Sequence, residues 1–143
     1  MTSDQCHYVR VSLDALREVQ RPFALLFYGR LFELEPSLHR LFHKDLGLQG
    51  KSLMKAFETI SHGLDDLESL RPQMQELGRK HAEYGVNSEH YRLFSTALLW
   101  ALAQALGSEF DRETRDAWQA AMGSICRAME SAAAPPAAVS RSS

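Results

Sequence analysis

The apolar residues of this chain recur at helical spacing along most of its length, and no segment shows the convincing period-two alternation of a β-strand. Two helical faces are each interrupted once by a polar side chain, His81 in one and Gln49 in the other. Buried polar groups need partners, because leaving them unpaired is costly. The two faces therefore predict an all-α domain with a polar slot, although His81 alone also fits a core histidine bonded to a backbone carbonyl. The first face comprises Leu70, Met74, Leu77, His81 and Tyr84, and the second comprises Gln49, Leu53, Phe57, Ile60 and Leu64.

Length and composition restrict the class of protein. A chain of 143 residues that is 45% hydrophobic forms one domain with a sizeable core. Its 16 basic and 18 acidic residues leave a net charge of −2, which argues against a large basic surface for nucleic acid. No apolar run approaches the roughly 20 residues that span a bilayer, and the N-terminus lacks the apolar core of a signal peptide. Cys6 and Cys126 are too far apart for a zinc or redox motif, so we expect a cytoplasmic protein with reduced thiols.

Proline and glycine positions predict where the first helices begin and end. The first helix is expected over residues 4–19, followed by a second from Pro22 that is apolar on most faces and therefore buried on most faces. Pro36 favours the start of a short third helix. A loop over 45–47 precedes a helix that begins at Gln49 and ends near Gly63. The buried candidates in the first helix are Val11, Leu13, Leu16 and Val19.

The second half of the chain continues the helical pattern. Residues 64–70 are expected to form a loose connection, after which Pro72 starts the helix that carries His81. Ser88 is a candidate N-cap for the next helix and Asp111 for the last one. Beyond Glu130 the pattern is lost, so we expect a domain over residues 1–130 and a disordered tail, or a linker, over 131–143. The expected face of the last helix is Trp118, Ala121, Met122, Ile125 and Met129.

Five segments, taken in order and with their spacing, carry a family resemblance. They are LLFYGRLFELEPSLHRLF (25–42), QGKSLM (49–54), LGRKHAEYGV (77–86), HYRLFSTALLWAL (90–102) and AWQAAMG (117–123). The chain resembles the globins, and within them it is most similar to bacterial single-domain haemoglobins and to the haem domain of flavohaemoglobins. This resemblance implies a three-over-three helical sandwich around haem b.

The resemblance also implies roles for residues that would hold the iron and the porphyrin. His81 matches the histidine that binds the iron, and Phe42 matches the aromatic residue that packs against the porphyrin. A neutral imidazole that ligates iron through one nitrogen needs an acceptor for its other N–H, and the carbonyl of Leu77 one turn back is the expected acceptor. Tyr84, Val86 and Phe94 are further residues expected to contact the cofactor.

On the distal side, Tyr28, Gln49 and Leu53 match the tyrosine, glutamine and leucine of the family. Taken alone, Tyr28 also fits a tyrosine at the protein edge. The phenol and the amide would donate hydrogen bonds to bound oxygen, and Leu53 would keep the site dry. A hydrogen bond to a charged group is worth about 1.5–3 kcal/mol, so each donor is expected to slow oxygen release about tenfold or more.

Two features of the family pattern are open. Tyr91 matches the tyrosine that backs the proximal histidine in flavohaemoglobins, but the place of their glutamate falls at Ala133, three residues beyond Glu130. For a haem propionate, His43 competes with a set of cations, and the sequence does not choose between them. Those cations are Lys51, Arg79 and Lys80.

The resemblance implies three functions. The first is a tight oxygen-binding globin that also binds nitric oxide and carbon monoxide, and that acts as a nitric oxide dioxygenase with an external reductase, with Tyr28 and Gln49 as its catalytic donors. The alternatives are an oxygen storage or buffering protein and a globin sensor module. No nucleic acid or membrane partner is expected, and the oligomeric state is left open.

Overall fold

Six α-helices account for most of the computed structural model, which describes residues 1–41 and 45–133. No strand occurs in these two ranges, as the sequence predicts. Short 3-10 helices cover Pro36–Leu41, Leu64–Asp66 and Gly107–Glu109. Phe42, His43 and the tail from residue 134 lie outside the described residues. The α-helices are α1 (Ser3–Arg17), α2 (Gln20–Leu34), α3 (Leu46–His62), α4 (Leu67–Glu83), α5 (Ser88–Leu106) and α6 (Arg112–Ala133).

The buried face of α1 differs from the prediction at one residue. Leu13 and Leu16 are buried as expected, together with Val9, whereas Val11 is 50% exposed. Since successive residues of a helix are rotated by about 100° (3.6 residues per turn), Val11 lies on the side of the helix opposite Val9. Val19, the fourth candidate, is half-buried where α1 gives way to α2.

Helix α2 packs against α5 on one side and α3 on the other. It begins at Gln20, two residues before the predicted start, with Pro22 in its first turn, where a proline is tolerated. Phe23 and Phe27 are fully buried, but Leu25 is 54% exposed, so the expectation of burial on most faces is wrong on the Leu25 side.

Helices α3 and α4 both begin earlier than the sequence pattern suggests. Asp45 caps α3 by accepting a hydrogen bond from the backbone N–H of Gly47 at 2.6 Å, so the expected loop over 45–47 is the first turn of a helix. Helix α4 begins at Leu67, which places Pro72 inside it. The expected loose connection over 64–70 is therefore wrong. Instead, the side chain of Leu70 is buried and fills the space beside Gly63, where a Cβ would lie 2.6 Å from the Leu70 Cγ.

The most extensive helix contact joins α4 to α6. At its closest point a Cβ built on Gly78 would lie 2.7 Å from the Cα of Met129 and would overlap its carbonyl group. The two backbones therefore touch directly. This contact fixes the helix that carries His81 against α6.

The caps of the last two helices test two further predictions. The N-cap of α5 is Asn87 and not Ser88, because Asn87 Oδ1 accepts from the His90 N–H at 3.0 Å while His90 Nδ1 accepts from the Asn87 N–H at 3.2 Å. Asp111 caps α6 as predicted, accepting from the Thr114 N–H at 2.9 Å. The predicted face of α6 is buried throughout.

The helices form an all-α sandwich, as the sequence predicts. Helix α1 contacts α6 and α3, while α3 contacts α2 and α5 packs on both α2 and α6. Among the described residues, no helix is long and apolar enough to cross a membrane.

Candidate functional site

A cavity of about 420 Å³ opens between the helices and brings most of the predicted site residues together. This volume lies in the usual range for a small-molecule or cofactor site. The predicted site residues on its wall are Tyr28, Gln49, Leu53, His81, Tyr84, Val86 and Phe94. Phe42 and His43 lie outside the described residues.

His81 is oriented by its own helix. Its Nδ1 lies 2.8 Å from the carbonyl oxygen of Leu77, one turn back, as the sequence predicts. Since a carbonyl can only accept, Nδ1 carries a proton, and the tautomer that this bond favours keeps the lone pair on Nε2, where it can bind a metal ion. The half-buried ring lines the cavity, and the Leu77 carbonyl fixes its orientation.

The chain turns sharply one turn after His81. Gly85 has φ = +95°, its N–H donates to Ala82 at 3.0 Å, and the N–H of Val86 donates to the His81 carbonyl at 3.0 Å. This is a Schellman motif, in which glycine is favoured because of its positive φ. The turn brings Tyr84, which is 65% exposed, and half-buried Val86 to the cavity wall.

Tyr91 lies behind His81, and their ring centroids are 6.4 Å apart. Its hydroxyl is buried and has no hydrogen-bond partner among residues 1–41 and 45–133. Burial, reinforced by Cys126 and Glu130, raises the pKa of Tyr91 to about 12.

Tyr28 and Gln49 occupy another part of the wall. Tyr28 is 3% exposed, and its hydroxyl donates to the backbone carbonyl of Gln49 at 3.2 Å. Burial raises the pKa of Tyr28 well above its usual value, so the phenol stays protonated. The side chains of Gln49 and Leu53 are half-buried on the same wall.

Aromatic packing supports the position of Tyr28. The ring of Phe27 lies 4.9 Å from that of Tyr28 and, edge-on, 4.9 Å from that of Phe94. Such pairs hold rings in a defined orientation. Phe94 thereby links α5 to the part of α2 that carries the tyrosine.

The cavity wall also includes residues that the sequence placed only in the core or at a cap. His90 reaches the wall while its Nδ1 serves the α5 cap. The helical pattern could have indicated Met74, which shares a helix face with His81, and those wall residues that belong to the predicted apolar face of the last helix. None of the three candidate propionate cations belongs to the described wall, and Arg79 pairs with Glu76. The unforeseen wall residues include Leu31, Leu38, Leu41, Met74, Met122, Ile125, Cys126 and Met129.

The donor set of the cavity fits haem. Within the described residues, no group of three or more His, Cys, Asp or Glu side chains could hold a metal ion. The wall is mostly apolar and holds two imidazoles, and the Nδ1 of one of them, that of His90, is engaged at the α5 cap. One imidazole is enough for an iron that brings its other ligands in a flat apolar macrocycle. His81 would supply a nitrogen ligand to that iron, and the surrounding aliphatic and aromatic side chains suit the porphyrin.

Comparison with known proteins identifies the family. The globin family model matches residues 25–129. Neuroglobin-1 of Oncorhynchus mykiss is 30% identical over 133 residues, covering 82% of this chain and 83% of its own length. A flavohemoprotein of Bordetella parapertussis is 31% identical over 120 residues, covering 82% of this chain but only 30% of its own length. This chain belongs to the globin family, and family membership implies that it binds haem and a gaseous ligand.

Solved structures agree on the fold. A bacterial globin from Campylobacter jejuni superposes with a TM-score of 0.78 at 24% identity, covering 92% of this chain and 95% of its own. An engineered carbene transferase from Rhodothermus marinus, provisionally described as a nitric oxide dioxygenase, superposes with a TM-score of 0.83 at 23% identity and covers 99% of both chains. The globin sandwich expected from the sequence is therefore confirmed.

Proposed function

We propose that this protein binds oxygen tightly at haem b and uses it to oxidise nitric oxide to nitrate. The observation that carries the proposal is the placement of Tyr28 and Gln49 in the cavity that His81 also lines. Two hydrogen-bond donors in an apolar pocket suit a gaseous ligand that gains negative charge. Carbon monoxide would bind the same site without needing these donors.

The protonation state of Tyr28 supports its role as a donor. Because burial raises its pKa, the phenol keeps its proton at neutral pH. That proton is held at the Gln49 carbonyl and is available to a ligand after a small rotation of the O–H bond. When the Tyr28 hydroxyl leaves the neutral Gln49 carbonyl and donates to a negatively charged ligand, its hydrogen bond becomes stronger by about 1 kcal/mol or more. Donation to the ligand is therefore favoured.

The other wall residues have simpler roles. Leu53 and Phe94 exclude water from the pocket, and this strengthens any hydrogen bond made inside it. His81 holds the proton of its Nδ1 at Leu77 and so leaves Nε2 for the iron. When bound, ferrous haem would supply the gas-binding site and one electron, so that oxygen and nitric oxide leave as nitrate and the iron ends ferric.

Sustained turnover needs an electron donor for the ferric iron. We assign this step to a flavin-dependent reductase. The cytoplasmic location and the reductase remain predictions. No residue in the described ranges is proposed to carry flavin.

The test measures nitrate produced per haem, with an NADH-dependent flavin reductase supplied in catalytic amount. Many nitrate ions per haem are expected, with a lower rate in Tyr28→Phe. The matched control is Tyr8→Phe, which also removes one phenol hydroxyl, but from α1, where the Tyr8 hydroxyl donates to Glu113 Oε2 at 3.5 Å. One nitrate per haem followed by a stalled ferric protein would contradict the proposal and favour oxygen storage.

A further inference from the structure

The two imidazoles on the cavity wall carry their protons on different nitrogens. In His81 the Nδ1 holds a proton at the Leu77 carbonyl. In His90 the Nδ1 accepts from the backbone N–H of Asn87 at 3.2 Å, and a ring nitrogen that accepts a hydrogen bond carries no proton. The ring proton of His90 is therefore on Nε2. His81 offers a lone pair to a ligand, whereas His90 offers an N–H donor.

The cap of α5 holds the ring of His90 in place. Asn87 Oδ1 accepts from the backbone N–H of His90 at 3.0 Å, so two reciprocal hydrogen bonds join these residues. Because Nε2 lies across the ring from Nδ1, its N–H is directed away from the cap. The ring is half-buried on the cavity wall, and within residues 1–41 and 45–133 its Nε2 has no hydrogen-bond partner. The wall thus contains an oriented donor that lacks an acceptor in this part of the chain.

The exposure of the wall residues shows where the cavity meets solvent. Of the described wall residues, only Ser52 on α3 and Tyr84 at the end of α4 are exposed. The chain reaches His90, in the first turn of α5, shortly after Tyr84. Other parts of the wall, such as Leu31 on α2 and Phe57 on α3, are buried. A charged part of a ligand stays on the open side, because the loss of water is costly for it.

We propose that His90 binds a propionate carboxylate of the haem through its Nε2–H. Haem carries its two carboxylates on one edge, so its apolar part suits the buried wall and its charged edge suits the open side. An N–H bond to a carboxylate is stronger than one to a neutral acceptor, and the N-terminus of α5 also favours an anion. The inference rests on haem binding, which family membership implies, and not on the oxidation of nitric oxide.

Two substitutions separate the donor from the cap. Glutamate and glutamine at this position both keep an acceptor for the Asn87 N–H, as in a capping box. Glutamine also keeps an N–H donor, whereas glutamate has none. The measurement is the rate at which the haem-loaded protein loses haem to an excess of a scavenging apoprotein. His90→Glu should release haem about tenfold faster than wild type, and His90→Gln at nearly the wild-type rate.

The matched control is His7→Glu, because His7 is exposed on α1 and does not belong to the cavity wall. It should release haem at the wild-type rate. All of these variants keep His81, so they retain haem through gel filtration and differ in the release rate. Equal rates in His90→Glu and wild type would overturn the proposal.

Haem dimethyl ester tests whether the partner of His90 is a carboxylate of the cofactor. The ester lacks both negative charges, so proteins loaded with it should release it at the same rate whether position 90 carries histidine or glutamate. If His90→Glu speeds release of the ester as much as release of haem, the substitution acts through the cap or the fold, and the proposal is wrong.

Nuclear magnetic resonance of the ¹⁵N-labelled protein observes the proton itself. In the ferrous protein, kept diamagnetic with carbon monoxide, His90 should show a proton on Nε2 that exchanges slowly with water. This proton should exchange faster in the protein loaded with the ester. A proton on Nδ1, or equal exchange with the two cofactors, would contradict the assignment. The measurement requires no substitution and therefore stands whether or not His90→Glu folds.

These results are independent of the proposed function. Haem release and proton exchange do not require turnover, so a failed nitrate assay would leave the role of His90 intact. Haem release that is insensitive to position 90 would remove that role and leave nitrate production untouched.

Discussion

The hydroxyl of Tyr28 donates to the backbone carbonyl of Gln49 at 3.2 Å, which joins the middle of α2 to the first turn of α3. A close approach of the two helices makes this bond possible, because a Cβ on Gly50 would lie only 2.8 Å from the Cβ of Ala24. The acceptor belongs to the main chain. A substitution of the Gln49 side chain therefore leaves the bond to Tyr28 in place.

Removing the Tyr28 hydroxyl is expected to speed oxygen release. In Tyr28→Phe the bound oxygen loses a hydrogen-bond donor. The lost binding free energy is the difference between a hydrogen bond to charged oxygen and one to the neutral Gln49 carbonyl, about 1–1.5 kcal/mol. This corresponds to about a tenfold faster oxygen dissociation, measured by stopped-flow mixing of the oxygenated protein with carbon monoxide. Tyr8→Phe should release oxygen at the wild-type rate. Equal rates in Tyr28→Phe and wild type would show that Tyr28 does not reach the ligand.

Replacing His81 is expected to remove the iron ligand and leave the pocket. His81→Gly should lose haem during gel filtration and retain it when imidazole is added, because free imidazole can fill the vacated space. His90→Ala is the comparison, since His90 also lines the cavity but its Nδ1 serves the α5 cap. It should keep haem without imidazole and lose some helix stability. Loss of haem from His90→Ala with retention in His81→Gly would reverse the assignment.

The fold could be predicted from the sequence where one helical face is continuous. The α6 face from Trp118 to Met129 is buried as predicted, because apolar spacing and packing agree there. The pattern places the starts of α3 and α4 too late, because it predicts a loop at Asp45 and a helix start at Pro72, whereas the helices begin at Leu46 and Leu67. The packing of Leu70 on Gly63, which extends α4 toward its N-terminus, is a tertiary contact that local propensity does not contain.

The candidate site also combines features that the sequence predicts with features that depend on how the helices pack. The acceptor of the His81 N–H was predictable, because a residue one turn back on the same helix is always near. The acceptor of Tyr28 was not, since it depends on how closely α2 and α3 approach each other. A capping role fits the sequence of His90, but its place on the cavity wall is not predictable for the same reason, because it follows from the direction in which α5 leaves its cap.

A methyl group at Gly78 is expected to force α4 away from α6. In Gly78→Ala the Cβ would lie 2.7 Å from the Met129 Cα, and backbone atoms cannot rotate away as a side chain can. Overpacking of this kind costs about 1–3 kcal/mol, to be measured by urea unfolding of the haem-loaded protein.

Gly29→Ala provides the matched control for this substitution. Gly29 is exposed within α2, and a Cβ there meets nothing within 4 Å. Alanine should therefore stabilise the helix by about 0.5–1 kcal/mol. A stabilised Gly78→Ala would mean that the two helices do not touch at this point.

Alkaline pH is expected to destabilise the fold through its buried tyrosines. Burial raises the pKa of Tyr91 to about 12 from an ordinary value of 10. Above pH 10 the unfolded chain releases this proton while the folded protein keeps it. The stability present below pH 10 is therefore lost as the pH rises toward 12.

The measurement is urea unfolding across this pH range in wild type and Tyr91→Phe. Wild type should lose stability more steeply, because phenylalanine has no proton to release. Parallel loss in the two proteins would show that the Tyr91 hydroxyl ionises equally in the folded and unfolded states.

The hydrogen bonds of His81 and Tyr28 have a consequence for how this pocket tolerates divergence. Both bonds end on main-chain carbonyls, those of Leu77 and Gln49. Every amino acid has such a carbonyl, so the acceptor of each bond does not depend on which side chain Leu77 or Gln49 carries. To keep these two bonds, selection has to preserve His81, Tyr28 and the course of the backbone. A lineage can in this way replace most of its sequence and keep the same polar atoms facing its haem.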